Sequence, residues 1–157
     1  MFKNGKIEGV IIKNLVKHAD DRGWLAETYR NDELDELHFP VMAYISMTNR
    51  DVARGPHEHA DQADNFSFIG PSNFKIYMWD NRKNSPTYMT KQIVFAGEDS
   101  PKSLIIPPGV VHAYKNVGEK QGAVLNFPNR LFAGRGRTEP VDEIRHESDQ
   151  NSPFILD

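Results

Sequence analysis

The sequence predicts an all-β protein built as a sandwich or a barrel. Three observations favour this class: roughly ten short runs rich in Val, Ile and aromatic residues, few helical patterns, and turn signals throughout the chain. The turn signals include ten prolines and eleven glycines. A length of 157 residues suits one domain whose core is large enough to fold without disulfides, and we find no internal repeat or linker. Residues 1–157 are therefore predicted to form a single domain.

The predicted strands begin near residue 6 and end near residue 127. N-terminal strands are expected within residues 6–30, over 6–17 and 24–29. The β-barrel core is expected to span residues 41–127. Its clearest strand patterns, each bounded by Gly, Pro or polar turns, cover 41–48, 65–69, 73–79, 91–96, 103–106, 112–117 and 123–127. Residues 128–157 are mainly polar and are predicted to form a C-terminal segment outside the core.

Two short helices are predicted outside the strands. Residues 31–37 begin with Asn31, a plausible N-cap, and place acidic residues in the first helical turn. Residues 139–145 carry Pro140 at what would be the first helical position. Both segments are short, so the fold class remains all-β with one or two short helices.

Composition and charge exclude several classes of function. The net charge of −3 gives no reason to expect binding to nucleic acid, and no polybasic patch suggests a membrane surface. The chain contains no cysteine, which excludes disulfides, thiolate metal sites and cysteine nucleophiles. Residues 1–6 lack the apolar core of a signal peptide, and no apolar run approaches membrane-spanning length. We expect a cytoplasmic protein.

The most informative stretch is Arg54-Gly55-Pro56-His57-Glu58-His59, followed by Asp64. On a strand, residues at i and i+2 point to the same face, so His57 and His59 can face one cavity. Two interpretations compete here. The histidines and the carboxylate could bind a metal ion, or one histidine could act as a general base in a pocket where Arg54 binds an anion.

A second histidine motif lies near the end of the core. Pro107-Pro108-Gly109 leads to His112 and Asn116, and this spacing resembles the second motif of the cupin superfamily. The series His57, His59, Asp64 and Gly70 resembles the first cupin motif, with Asp64 where the pattern has Glu. The resemblance implies a cupin double-stranded β-helix, or jelly roll. Its ligand positions would be His57, His59, Asp64 and His112, a donor set that suits Zn, Fe, Mn or Ni.

Four ordered motifs, covering roughly residues 15 to 150, resemble those of one cupin family, the dTDP-4-dehydrorhamnose 3,5-epimerases. The family patterns D-x-R-G-x-F-x-E, R-G-x-H, D-x-R-x-x-S-P-T and I-P-x-G-x-x-H match Asp20–Glu27, Arg54–His57, Asp80–Thr87 and Ile106–His112. The resemblance implies a homodimer that acts on a nucleoside diphosphate 4-keto-6-deoxy sugar without a cofactor. The reaction removes a proton from a carbon beside the C4 ketone and returns one to the opposite face.

The resemblance also implies roles for individual residues. His57 takes the position of the family's base, and Asp149 is the positional candidate for the carboxylate that orients it. Arg54 would bind the pyrophosphate, and His112 would lie beside the sugar. The substrate-binding positions are completed by Gln62 and Asn126, and by Arg22 and Glu27, which would reach in from a neighbouring subunit.

Two positions depart from the family pattern. Asn126 stands where the family has a tyrosine that acts as an acid, and a carboxamide cannot donate a proton at neutral pH. Asp64 stands where the family has a lysine that stabilises the enolate, which replaces a cation by an anion. Tyr114, on the same strand face as His112, is the first candidate for a substitute acid, and Tyr77 is the second.

These departures leave two alternatives to the hypothesis that the protein is a cofactor-independent epimerase. In the first, a divalent metal ion bound by His57, His59, Asp64 and His112 polarises a ketone in place of the lysine, either in this reaction or in a different metal-dependent cupin reaction. In the second, the protein binds a sugar nucleotide but has lost turnover.

Overall fold

The computed structural model describes residues 1–157 and is nearly all β. Thirteen strands follow one another along the chain. They are β1 (Lys3–Asn4), β2 (Ile11–Asn14), β3 (His18–Asp20), β4 (Gly23–Leu25), β5 (Tyr44–Thr48), β6 (Ala53–Glu58), β7 (Asp64–Phe68), β8 (Asn73–Asp80), β9 (Thr90–Gly97), β10 (Lys102–Ile106), β11 (Val110–Asn116), β12 (Gly122–Asn126) and β13 (Ile144–Arg145). The all-β prediction is confirmed, and the seven predicted core strands correspond to β5 and β7–β12.

Two sheets form a sandwich. One has six strands in the order β1-β9-β8-β11-β6-β13, and the other has five in the order β2-β10-β7-β12-β5. The pairings are antiparallel except that between β1 and β9. Strands β3 and β4 form a separate two-stranded hairpin.

The main core lies between the two sheets. Phe66 and Phe68 of β7 pack there with Phe74 and Ile76 of β8 and with Leu104 of β10, and all five side chains are at most 2% exposed. Strand β7 is buried along its whole length, and its alternating sequence places Phe66 and Phe68 on the core face, with Asn65 and Ser67 on the other face. Burial of these aromatic and aliphatic side chains is the main force that holds the sheets together.

A second apolar cluster covers the outer face of the six-stranded sheet. Tyr77 and Trp79 of β8 and Val111 of β11 pack there against Phe154 of the C-terminal segment. The Trp79 and Phe154 ring centroids lie 5.7 Å apart, and Tyr77 Oη donates a hydrogen bond to the carbonyl of Asp157 at 2.6 Å. The C-terminal segment is therefore packed on the domain, although its polar composition suggested otherwise.

The two predicted helices are wrong. Residues 31–37 form two separate 3₁₀ turns, Asn31–Glu33 and Glu36–His38, with Leu34 extended between them and no side-chain cap. Residues 139–145 contain no helix and end in β13, which pairs with the edge of β6. Both segments are too short to form a stable helix alone, and the unpaired backbone groups of an edge strand offer the second segment an alternative set of hydrogen bonds.

The loop after β8 is held by one buried carboxylate. Asp80 accepts hydrogen bonds from Arg82 Nε at 2.8 Å, Ser85 Oγ at 2.6 Å and Thr87 Oγ1 at 2.6 Å. Burial would raise the pKa of Asp80, but these three donors outweigh it and lower the pKa to about 2. The D-x-R-x-x-S-P-T motif thus fixes a loop, and its residues lie outside the cavity described below.

None of the helical segments is long and apolar enough to cross a membrane.

Candidate active site

A cavity of about 1030 Å³ opens between the two sheets and the C-terminal segment. One wall carries side chains of β6 and β11 from the six-stranded sheet, and the opposite wall carries side chains of β5 from the five-stranded sheet. Residues 128–147 supply most of the remaining lining. The polar groups that face the cavity include Arg54, His57, His59, Gln62, Tyr44 and Tyr114.

Strand β6 places His57 in this cavity through a close backbone contact at Gly55. Gly55 has a φ of +80°, and a Cβ at this position would lie 2.5 Å from the carbonyl oxygen of His112. Only glycine tolerates that approach. It lets β6 pair with β11 so that His57 lies opposite His112, with ring centroids 4.5 Å apart. The close approach of β11 therefore explains why the R-G-x-H motif has glycine at position 55.

Asp64 lies at the centre of a buried polar cluster at the base of the cavity. Its Oδ1 accepts hydrogen bonds from Gln62 Nε2 and Asn126 Nδ2, both at 2.8 Å. Its Oδ2 lies 3.2 Å from His59 Nε2 and 3.2 Å from His112 Nε2. Four atoms that could bind a metal ion lie within 4.8 Å of one another: one ring nitrogen each from His57, His59 and His112, and one carboxylate oxygen from Asp64.

The pKa values in this cluster follow from burial and from the shared carboxylate. Burial would raise the pKa of Asp64, but the contacts with His112 and His59 hold it far below its usual range. Burial would lower the pKa of His59, but Asp64 outweighs it and the pKa is raised. His57 has no carboxylate within hydrogen-bond distance, so burial, assisted by His112, lowers its pKa to about 3. The His57 imidazole is therefore neutral at physiological pH.

Two acidic residues of the C-terminal segment complete the site. The Asp142 carboxylate accepts hydrogen bonds from the backbone N–H groups of Ala60, Asp61 and Gln62 at 2.8–2.9 Å, and its carbonyl contacts His59 Nδ1. Glu143 Oε1 lies 3.8 Å from His57 Nδ1. Sequence reasoning missed both residues, because it assigned them to a helix.

Comparison with known proteins identifies the family. A family model described as dTDP-4-dehydrorhamnose 3,5-epimerase matches residues 4–130. The chain belongs to this epimerase family. It is 36% identical over 126 residues to the spore coat polysaccharide biosynthesis protein SpsL of Bacillus subtilis, covering 80% of this chain and 82% of that protein. It is 32% identical over 128 residues to the probable low-salt glycan biosynthesis epimerase Agl13 of Haloferax volcanii, covering 80% and 81% of the two chains.

Solved structures show the same fold. The crystal structure of a dTDP sugar isomerase from Desulfovibrio desulfuricans G20 superposes with a TM-score of 0.80 at 20% identity, covering 95% of this chain and 91% of that one. The predicted cupin jelly roll is thereby confirmed. Family membership and the curated relatives together support a sugar-nucleotide epimerase or isomerase.

The predicted site residues of the epimerase family separate into those that face the cavity and those buried behind its wall. His57, Arg54, Gln62 and Tyr114 line the cavity. His112 and Asn126 are buried behind its wall, where Asn126 Nδ2 also donates to Tyr44 Oη at 2.9 Å. Asn126 is thus a bridge between Asp64 and a tyrosine that the sequence analysis did not select.

Four other predicted residues lie away from the cavity of this chain. Asp149 is exposed and accepts a hydrogen bond from the backbone of Asn151. The carboxylate that lies beside His57 is that of Glu143, and not that of Asp149 as predicted. Tyr77 lies in the cluster on the outer face of the sheet. Arg22 pairs with Asp20 and Glu27 with Arg30 on the surface, so neither reaches the cavity of its own chain.

Proposed function

We propose that this protein is an epimerase that moves a proton at a carbon beside the C4 ketone of a nucleoside diphosphate 4-keto-6-deoxy sugar. One observation carries the proposal: a histidine and a tyrosine face the same cavity from opposite sheets, His57 from β6 and Tyr44 from β5. Inversion at carbon requires a base on one face of the sugar and an acid on the other. The two walls of the sandwich supply such a pair.

His57 is the base. Its side chain is 15% exposed, so it reaches the cavity while the surrounding protein limits access of water. Glu143, 3.8 Å from Nδ1, orients the ring and leaves Nε2 to take the proton. The carboxylate also stabilises the imidazolium that forms, as a buried acid does beside other catalytic histidines.

Tyr44 is the better-placed acid. Its hydroxyl accepts a hydrogen bond from the Asn126 carboxamide, which leaves its own proton free for donation. Burial raises the pKa of Tyr44 to about 12, so the phenol is protonated at neutral pH. Tyr114, the acid selected from the sequence, extends from the same sheet as His57 and contacts Ser46 Oγ through its hydroxyl. It remains the second candidate.

Arg54 supports a nucleotide-sugar ligand. Its guanidinium donates to Thr48 Oγ1 at 3.1 Å and to the carbonyl of Met47 at 2.8 Å, and no carboxylate lies within ion-pair distance of it. A guanidinium fixed at a cavity wall and left without a counter-ion is suited to a pyrophosphate. We further propose that the protein is a homodimer in which Arg22 and Glu27 of one subunit reach the cavity of the other.

Deuterium exchange tests the chemistry directly. Incubation with dTDP-4-keto-6-deoxyglucose in D₂O is expected to place deuterium at C3 or C5, detected by mass spectrometry and NMR. His57→Asn should abolish exchange while ligand affinity stays within a few fold. Tyr44→Phe should slow inversion more strongly than Tyr114→Phe, because the Tyr44 hydroxyl accepts a hydrogen bond from Asn126 and keeps its proton free, whereas the Tyr114 hydroxyl is already paired with Ser46 Oγ.

Three results would contradict the proposal. Exchange that persists in His57→Asn removes His57 from the role of base. A larger defect in Tyr114→Phe than in Tyr44→Phe reverses the assignment of the acid. If the wild-type protein shows no exchange but the nucleotide sugar raises its melting temperature, the protein binds the ligand without turning it over.

A further inference from the structure

We propose that His59, Asp64 and His112 bind one divalent transition-metal ion at the base of the cavity, and that His57 stays outside the coordination sphere. This site goes beyond the proposed function, because metal binding does not require that the protein turn over a sugar. Some polar atoms of the three side chains already have hydrogen-bond partners, and others, buried at the same depth, have none.

The two histidines have defined tautomers. His112 Nδ1 lies 3.0 Å from the carbonyl of Val110, and His59 Nδ1 contacts the carbonyl of Asp142. A carbonyl only accepts hydrogen bonds, so each Nδ1 carries a proton and each neutral ring presents an Nε2 lone pair. Metal-binding histidines are oriented in this way, with the second ring nitrogen donating to a carbonyl or carboxylate.

Both Nε2 atoms lie near one carboxylate oxygen that has no hydrogen-bond donor of its own, and His59 Nε2 also lies 3.2 Å from Gln62 Nε2. Asp64 Oδ1 is satisfied by Gln62 and Asn126, whereas Asp64 Oδ2 and His112 Nε2 are buried without a hydrogen-bond partner. The Asp64 and His112 side chains are only 1% and 3% exposed. Unpartnered polar atoms at this depth are costly, and a cation among them would satisfy both.

The distances suit a metal ion better than a shared proton. His59 Nε2 and His112 Nε2 each lie 3.2 Å from Asp64 Oδ2, yet neither pair has the angles of a hydrogen bond. With metal–ligand bonds of about 2.0–2.2 Å, adjacent ligand atoms lie about 3.0–3.4 Å apart in octahedral and tetrahedral sites. One proton would serve one imidazole only, whereas one ion would serve all three donor atoms.

His57 is excluded from the ligand set by its own environment. Its Nδ1 faces Glu143 at 3.8 Å, and it makes no contact with Asp64 comparable to those of His59 and His112. Two histidines and one carboxylate form a three-ligand set, which leaves positions on Fe, Mn, Zn or Ni open to an exogenous oxygen ligand, and His59 is the member of the set that lines the cavity. An ion held there supplies a Lewis acid for a carbonyl or hydroxyl oxygen of the ligand.

Metal content and spectroscopy test the site without any activity measurement. The untagged chain is stripped with a chelator and titrated with Co²⁺, followed by visible absorption, and Zn²⁺ stoichiometry is measured by elemental analysis. We expect one ion per chain and a Co²⁺ spectrum with nitrogen and oxygen ligands. His59→Gln, His112→Gln and Asp64→Asn should each weaken binding at least about 100-fold.

Two variants serve as controls. His18→Gln removes an exposed histidine of β3 and should leave the affinity unchanged, and His57→Gln should leave it within about tenfold. Should Asp64→Asn fail to fold, His59→Gln still decides, because the His59 side chain reaches the cavity. Less than about a tenth of an equivalent after reconstitution, or equal binding by all variants, would overturn the site. A loss in His57→Gln as large as in His112→Gln would overturn the three-residue ligand set.

Failure of the metal site and failure of the proposed function can be told apart. Metal-free protein that still exchanges deuterium through His57 would reject the metal ion and retain the epimerase. Protein that binds one ion through His59, Asp64 and His112 but exchanges no deuterium would retain the metal site and reject the epimerase activity.

Discussion

Asp64 and Asn126, the two positions expected from the sequence to depart from the family pattern, are in direct contact in the structure. The Asn126 carboxamide donates to Asp64 Oδ1 at 2.8 Å and also accepts from the backbone N–H of Asn65 at 3.1 Å. A buried carboxylate needs such donors. Asn126 therefore supplies one of the two donors that satisfy Asp64 Oδ1.

Under the proposed mechanism, Glu143 has a positioning role for His57, whose Nδ1 lies 3.8 Å from its carboxylate. Glu143→Gln is expected to lower kcat for exchange about 10- to 100-fold, because a neutral amide neither orients nor stabilises the imidazolium equally well. KM should change by less than about threefold, since Glu143 is assigned no contact with substrate. Steady-state kinetics on the deuterium exchange reaction provide the measurement.

Glu147 provides the matched control for Glu143. It also lines the cavity but makes no contact with His57. If Glu147→Gln reduces kcat as much as Glu143→Gln, the effect is one of general cavity charge, and the positioning role is wrong.

At the scale of elements, β13 and the turn before it connect the C-terminal segment to the active site. Arg145 lies opposite His57 in the β13–β6 register, which brings Glu143 over the cavity. One residue before Glu143, the Asp142 carboxylate accepts hydrogen bonds from the backbone of residues 60–62 and caps that turn. Three such donors outweigh burial and lower the pKa of its carboxyl, so the cap is charged at neutral pH.

Loss of this cap should destabilise the protein measurably. Asp142→Ala leaves three backbone N–H groups without their acceptor, and we expect a cost of about 2–3 kcal/mol. That corresponds to a fall of about 4–12 °C in melting temperature for a domain of this size. Calorimetry measures the effect, and Asp149→Ala, an exposed carboxylate in the same segment, should stay within about 0.5 kcal/mol of wild type. Equal losses in the two variants would show that residues 60–62 do not depend on the cap.

At the scale of the whole molecule, exposed apolar side chains mark the surface where we place the second subunit. Trp24 and Leu25 of β4 are 51% and 62% exposed, and Ile45 of the edge strand β5 is 63% exposed. Edge strands with apolar side chains are usually covered. Arg22 lies in the turn of the β3–β4 hairpin, so a second copy of the chain that covers Trp24 and Leu25 would lie beside it.

The dimer is tested by light scattering coupled to size exclusion. We expect a mass twice the 17.9 kDa of one chain at micromolar concentration. Arg22→Ala should weaken nucleotide-sugar binding about tenfold through loss of a phosphate contact while the mass stays dimeric. Arg50→Ala, at an exposed arginine outside the motifs, should leave binding unchanged. A monomer that binds the ligand with full affinity would contradict the dimeric site.

Local sequence patterns were enough to predict the core strands and the wall of the site that carries Arg54 and His57. Alternating and continuous apolar runs are local signals, and they placed β5 and β7–β12 correctly. The spacing of Arg54 and His57 along β6, and the position of His112 on β11, likewise follow from local chain geometry. The glycine at position 55 and the turn at Pro107–Gly109 are also local requirements of the backbone.

Long-range contacts in the folded chain select the acidic residues that lie beside His57 and His59. Glu143 approaches His57, and Asp142 approaches His59, across more than 80 residues of chain, and the pairing of β13 with β6 selects them over Asp149. Strand addition at a sheet edge depends on backbone groups that the local sequence does not describe. The contact between Asp64 and Asn126 has the same origin, because the order of strands in the five-stranded sheet brings β7 beside β12.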